Sequence, residues 1–240
     1  MKEKLLAWRH RAACFLMQWL VRFLCLICVR PRMTFSSPEA KANFPEGPCV
    51  LISNHVYGED SGPIETRLHH KHFYGMMAID VMDGNKFLHW FLSYMPIIRL
   101  DRRNVSMSWL REGRKKLREG HSIFMCPEGL TNVDKVISEF KPGFVALAAT
   151  ENVPVVPIYH NAEFNYFHGE PFRMIIGEPI HLTVPPEGLT DEFMRREAAR
   201  ATEIVRALEK QLLGFNRTKE SAAQEAAAKA KKNRKKAVAG

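Results

Sequence analysis

Three chemical signatures are missing from this chain. The five cysteines, Cys14, Cys25, Cys28, Cys49 and Cys126, have no cysteine or histidine partners at zinc spacing, so Cys25-x-x-Cys28 is not a metal half-site. Their odd number, with three inside one apolar run, argues for free thiols in a reducing compartment and a working face on the cytoplasmic side. No G-x-S-x-G elbow occurs, so a serine nucleophile is not indicated. No internal repeat is visible.

A basic body is missing as well. The formal charge is +9, yet the first 32 residues hold seven basic and one acidic side chain, and the last 25 hold eight and two. Residues 33–215 carry 20 basic against 23 acidic. The body is mildly acidic between two cationic ends, which disfavours nucleic acid and implies an anionic bilayer as partner. With 46% apolar and 25% charged residues over 240 positions, the composition suits one globular domain with appendages.

Residues 12–29 are apolar at 16 of 18 positions. As a helix they span roughly 27 Å, slightly less than a hydrocarbon core of about 30 Å. Arg22 near the middle would cost roughly 2.5–3.5 kcal/mol at a bilayer centre. Arg11, Gln18 and Arg22 fall on one narrow stripe, which suits a helix embedded in one leaflet or docked by its polar seam on the domain. The run ends in Val29-Arg30-Pro31-Arg32 without a small-x-small cleavage site, so a retained anchor is favoured over a signal peptide. Arg9, Arg11, Arg30 and Arg32 flank it, each adding about 1 kcal/mol toward anionic lipid. The tail after Phe215 is low in complexity and reads as disordered, either solvated or touching a membrane. The expected organisation is an anchor over 1–34, a catalytic domain over 35–215 and a basic tail over 216–240.

Between the ends, short apolar runs alternate with helical patterns. Strands are expected at 49–53, 73–78, 97–100, 122–126, 153–158 and 172–176, and helices near 61–70, 85–94, 104–119, 142–151 and 190–213. The alternation predicts an α/β domain with a mixed, partly parallel sheet flanked by helices. Ligands in such sheets bind beyond the carboxyl ends of strands. Two of those ends carry unusual polar residues: Asn54-His55 through Asp60, and Pro127-Glu128-Gly129 through Thr131-Asn132.

A histidine titrates near neutrality and can take a hydroxyl proton, provided a partner fixes its tautomer. His55 is the candidate base and Asp60, five residues on, the candidate partner. A base without a nucleophile suits direct attack by an acceptor hydroxyl on an activated acyl group. Glu128 could offer the acceptor a carboxylate, and Gly129 permits a tight turn with close backbone approach.

Asn54-His55-x4-Asp60 resembles the N-H-x4-D motif of the 1-acylglycerol-3-phosphate O-acyltransferase family, and Cys126-Pro127-Glu128-Gly129 its F-P-E-G-T-R-S motif. Asp101-Arg102-Arg103-Asn104 is similar to its intermediate motif, and Phe140-Lys141-Pro142-Gly143 with Val153–Pro157 to the segment after the third. The resemblance implies a glycerolipid acyltransferase fold and transfer of a fatty acyl group from acyl-CoA or acyl-carrier protein to a lysophospholipid acceptor, yielding phosphatidic acid. It implies His55 as base, Asp60 as its orienting partner, Arg102 on the acceptor phosphate, and Asn54, Glu128, Gly129 and Thr131 around the acceptor. It implies no metal and no resident cofactor. The chain departs from the family where Leu130-Thr131-Asn132 replaces Thr-Arg-Ser, which removes one cationic phosphate contact. Pro96 replaces a usual glycine, and Asp80 falls where the family often has lysine, leaving Lys86 as the nearest substitute. A different lysolipid or glycolipid acceptor, or a non-catalytic lipid-binding protein on this fold, are the alternatives.

Three further features have plainer readings. Leu68-His-His-Lys-His72 reads as a solvated helix end, Arg111 through Arg118 as a solvated basic face, and Trp90, Phe91 and Tyr94 as core.

Overall fold

The computed structural model describes residues 2–79, 85–101 and 107–221, with only the backbone described for 2–7. Seven strands form one sheet: β1 (Arg32–Phe35), β2 (Val50–Ser53), β3 (Tyr74–Ala78), β4 (Ile97–Leu100), β5 (Ile123–Met125), β6 (Val155–His160) and β7 (Arg173–Ile176). Their order is β1-β7-β6-β2-β5-β3-β4, parallel throughout except for the antiparallel pair β6 and β7. The mixed sheet matches the sequence reading. β2 lies between β5 and β6, so the carboxyl ends of these three strands open on one crevice.

The helices are α1 (Lys2–Cys28), α2 (Pro38–Ala42), α3 (Ser61–Arg67), α4 (Lys86–Leu92), α5 (Ser108–Arg118), α6 (Gly143–Glu151) and α7 (Asp191–Leu213). All four residues of β2 are buried, as expected for a central strand covered on both faces. Val50 and Ile52 pack with Phe144, Val145 and Leu147 of α6 and Val205 and Leu208 of α7. Leu51 points the other way, toward Ile64 of α3 and Cys25 of α1. Period-2 alternation therefore feeds two cores from one short strand.

Two elements escape the sequence reading. β1 pairs with β7 at the sheet edge, so the sheet takes in Arg32, Met33 and Thr34 ahead of residue 35. Its Arg-Met-Thr-Phe alternation is half polar because only one side is paired and covered. α2 is one short turn capped by Ser37, whose Oγ accepts from Ala40 N at 3.0 Å.

α1 docks by its polar seam. Gln18 Nε2 donates to Tyr94 O at 3.2 Å, and Arg22 Nε and Nη2 donate to Glu65 Oε1 of α3 at 2.9 and 2.7 Å. The opposite face leaves Phe15, Leu16, Trp19, Leu20 and Phe23 exposed. Trp8–Cys28 is long and apolar enough to cross a membrane by length and composition.

Three readings need correction. Trp90 is not core: it is 48% exposed on α4, with Phe91 and Tyr94 half-buried. A seven-residue helix at the sheet edge offers too little neighbouring surface to cover it. The segment after α3 is solvated at His69, His70 and His72, but Lys71 is buried, its ammonium donating to the carbonyls of Pro45, Glu46 and Gly47 at 2.5, 3.2 and 2.7 Å. On α5, Arg114 and Arg118 are not simply solvated, because both clamp Glu151 of α6 at 2.6 and 2.7 Å. Arg102, Asp80 and most of the tail, from residue 222 on, lie outside the described residues.

Candidate active site

β2 ends at Ser53, and the chain turns sharply over Asn54 to Asp60 before α3 begins. Asn54 is buried and joins the ends of β2 and β6. Its Nδ2 donates to His160 O at 3.1 Å, and its Oδ1 accepts from His160 N at 3.0 Å. The His160 ring closes a third link, with Nε2 3.0 Å from Asn54 O. This fixes the tautomer of His160 as the Nε2–H form, since a carbonyl only accepts.

Asp60 is 1% exposed and organises the turn through one oxygen. Oδ2 accepts from Val56 N at 2.6 Å and Tyr57 N at 2.9 Å, and stands 3.2 Å from His55 Nδ1. Burial pushes the Asp60 carboxyl up; the facing His160, the His55 hydrogen bond and the Tyr57 and Val56 amides outweigh it and hold the group below the ordinary carboxylate range. An ionised carboxylate on Nδ1 selects the Nδ1–H tautomer of His55 and leaves Nε2 as the base. The His55 side chain keeps 19% exposure, enough for a substrate to reach it.

β5 delivers the opposing wall. Glu128, buried at the end of Cys126-Pro127, accepts from His55 N at 2.7 Å through Oε1. Its Oε2 accepts from Ser138 N at 2.8 Å and from Asn132 Nδ2. Burial raises its carboxyl above the usual range despite those donors. The sequence reading gave Glu128 to the acceptor; here the bond from His55 N ties the β2 loop to the β5 loop, and those from Ser138 and Asn132 close the β5 loop on itself. Asn132 N adds a further tie by donating to His55 O at 2.8 Å. Gly129 sits at φ +77°, a conformation that disfavours any β-carbon, while Thr131 is exposed on the loop rim.

Cys126 sits in a setting that disfavours a reactive thiolate. Burial lifts its thiol well above the ordinary value, and the charges of Asp60 and Glu128 add to the effect. Among the described residues, no group of three or more His, Cys, Asp or Glu could hold a metal ion.

The structure thus brings Asn54, His55, Asp60, Glu128 and Gly129 to one crevice. Sequence reasoning missed His160, which is fully buried, stacks on Phe172 with ring centroids 5.0 Å apart, and stands 3.7 Å from Asp60 Oδ2. Burial lowers its imidazole even against the pull of Asp60 and the hydrogen bond to Asn54. The signal was a histidine closing the apolar run of β6.

A family model described as Acyltransferase matches residues 35–161. The chain is 31% identical over 146 residues to the chloroplastic 1-acyl-sn-glycerol-3-phosphate acyltransferase BAT2 of Brassica napus, covering 56% of this chain and 41% of that protein. It is 28% identical over 130 residues to a 1-acyl-sn-glycerol-3-phosphate acyltransferase of Pseudomonas aeruginosa, covering 50% and 47%. The chain therefore spans less than half the length of these relatives. The crystal structure of the 1-acyl-sn-glycerophosphate (LPA) acyltransferase PlsC of Thermotoga maritima shares the fold, with a TM-score of 0.55 at 18% identity over 79% of this chain and 76% of that one.

Proposed function

The chain belongs to the acyltransferase family, and on that premise we propose that it transfers a fatty acyl group from acyl-CoA or acyl-carrier protein to the free hydroxyl of 1-acyl-sn-glycerol 3-phosphate, giving phosphatidic acid. The observation that carries this reading is the His55–Asp60 pair, 3.2 Å apart at the carboxyl end of the central strand with Nε2 left for substrate. The acceptor hydroxyl gives its proton to Nε2 as its oxygen attacks the thioester carbonyl. The new C–O bond forms, the C–S bond breaks, and the imidazolium returns the proton to the departing thiolate. Asp60 stabilises the imidazolium in between. The donor is a co-substrate, and no resident cofactor enters the scheme.

Lipid access has support of its own. Tyr57, Leu130 and Val133 are exposed on the two loops that carry His55 and Glu128, giving the crevice an apolar rim. α1 offers its aromatic face outward while Gln18 and Arg22, at its middle, are bonded to the domain. A helix held to the domain at its midpoint suits immersion in one leaflet better than a perpendicular crossing. The membrane would be approached from the cytoplasmic side, as the free thiols suggest.

A second reading keeps the chemistry and changes the acceptor, because exposed Thr131 supplies no charge where an arginine is expected. An acceptor panel run with both donors separates them: saturable transfer to lysophosphatidate supports the first reading, and transfer confined to uncharged or sugar-bearing lysolipids supports the second.

A further inference from the structure

We propose that Lys141 holds the anionic head group of the acyl acceptor, in place of the arginine that position 131 does not supply. The inference rests on the acyltransferase reading and deepens it at the same site. A Cβ placed on Gly129 would lie 2.6 Å from Lys141 Nζ, 3.2 Å from Cε and 3.3 Å from Cδ. The lysine stem therefore runs across the bare face of the glycine, and its ammonium rests on the turn. The root of the side chain is fixed, since Lys141 N donates to Pro127 O at 2.9 Å.

The turn beneath it is part of the crevice. Glu128, next to Gly129, takes the His55 amide at 2.7 Å, and Asn132, three residues on, gives its amide to His55 O at 2.8 Å. Glu128 and Asn132 thus tie the turn that carries the ammonium to the backbone of His55. A glycine at position 129 is what leaves the space for the ammonium.

Ion pairing singles out this lysine among the described cations of the loop after β5. Lys135, on the same loop, is spent on Glu163 at 2.5 Å, and Arg206 is spent on Glu139 and Glu203 at 2.9 and 2.6 Å. Among the described residues, Lys141 pairs with no carboxylate, and the residue is exposed. An ammonium is a compact point charge with three rotatable donors, which suits a phosphate monoester approached from solvent.

The test uses the full chain in neutral detergent micelles, where bulk charge attraction to a surface is absent. Lysophosphatidate and an uncharged monoacylglycerol of the same chain length serve as acceptors. Lys141→Met keeps the stem across Gly129 and removes the charge. The preference for lysophosphatidate is expected to fall about 10- to 100-fold, through KM, with kcat moved far less. Lys141→Arg is expected to retain most of the preference. Where monoacylglycerol is not used at all, the KM-against-kcat split for lysophosphatidate is the readout. A preference unchanged within about twofold, or an equal fall for both acceptors, overturns the role of Lys141 while leaving the acyltransferase reading intact. Transfer by the unaltered chain to neither acceptor, from either donor, overturns that reading and the role of Lys141 with it.

Discussion

His55 Nδ1 and Asp60 Oδ2 stand 3.2 Å apart across a turn that the same carboxylate oxygen holds closed, through the amides of Val56 and Tyr57. One carboxylate therefore does two jobs: it shapes the loop and orients the base. Its replacement should be felt in folding as well as in chemistry.

The folding effect has a predictable sign with pH. The folded Asp60 carboxyl titrates below the value of about 3.9 expected in the unfolded chain. Its contribution is therefore complete above that value and is lost as pH falls through the lower folded one. The gap in Tm between the unaltered protein and Asp60→Asn should be constant from neutral pH down to about 5 and should narrow below about 4. Thermal melts across that range check it, and a gap that widens toward acid contradicts it.

His160 reaches the reaction only through Asn54 and Asp60. His160→Phe keeps the stack on Phe172 and removes the ring hydrogen bond to Asn54 O. Loosening of the β2 turn should lower kcat about tenfold with little change in KM for either substrate. His160→Gln, which can still donate to that carbonyl, should recover much of the loss. Equal loss in both variants, or a change confined to KM, contradicts the positioning role.

Outward-facing Trp19 and Phe23 are 56% and 45% exposed and stack on one another at 5.5 Å. Fully immersing a large apolar side chain is worth about 1.5–3 kcal/mol. Trp19→Glu with Phe23→Glu should weaken vesicle binding in flotation assays by at least about 100-fold while leaving Tm within about 2 °C. Undiminished flotation would place the membrane contact elsewhere.

Tyr159, buried on β6, donates to Glu209 Oε1 on α7 at 3.1 Å. Burial raises both groups above their usual values, so the pair is neutral phenol against a reluctant carboxylate. Tyr159→Phe leaves Glu209 short of a partner in the core and should cost about 1–3 kcal/mol in denaturant unfolding. No measurable loss would contradict this, since it would mean that the bond from Arg217 N to Oε2 alone satisfies the carboxylate.

The fold was legible where burial writes on the chain in short periods. Val50–Ser53 and Arg173–Ile176 are largely apolar because both faces of the sheet are covered there, and the helices between the strands carry their own stripe. β1 was not legible, since its Arg-Met-Thr-Phe alternation is half polar and offers no apolar run. In the site, His55, Asp60 and Glu128 stood out because polar residues after buried strands are conspicuous. His160 did not, since it closes an apolar strand whose partner, Asn54, lies 106 residues away in the chain. Lys141 was visible as part of the Phe140–Gly143 motif, but its approach to Gly129 was not, being a tertiary contact with no local period. The polar seam of α1 was legible, but only the structure supplies Glu65 and the Tyr94 carbonyl as what it docks on.

The most direct test is acyl transfer by purified His55→Ala beside the unaltered protein, followed as thiol release and phosphatidic acid formation from lysophosphatidate in mixed micelles. Removal of a general base costs about 10²- to 10⁴-fold in rate, and kcat is expected to fall by that factor with KM nearly unchanged. Transfer by His55→Ala at the unaltered rate would contradict the central claim that this imidazole takes the acceptor proton.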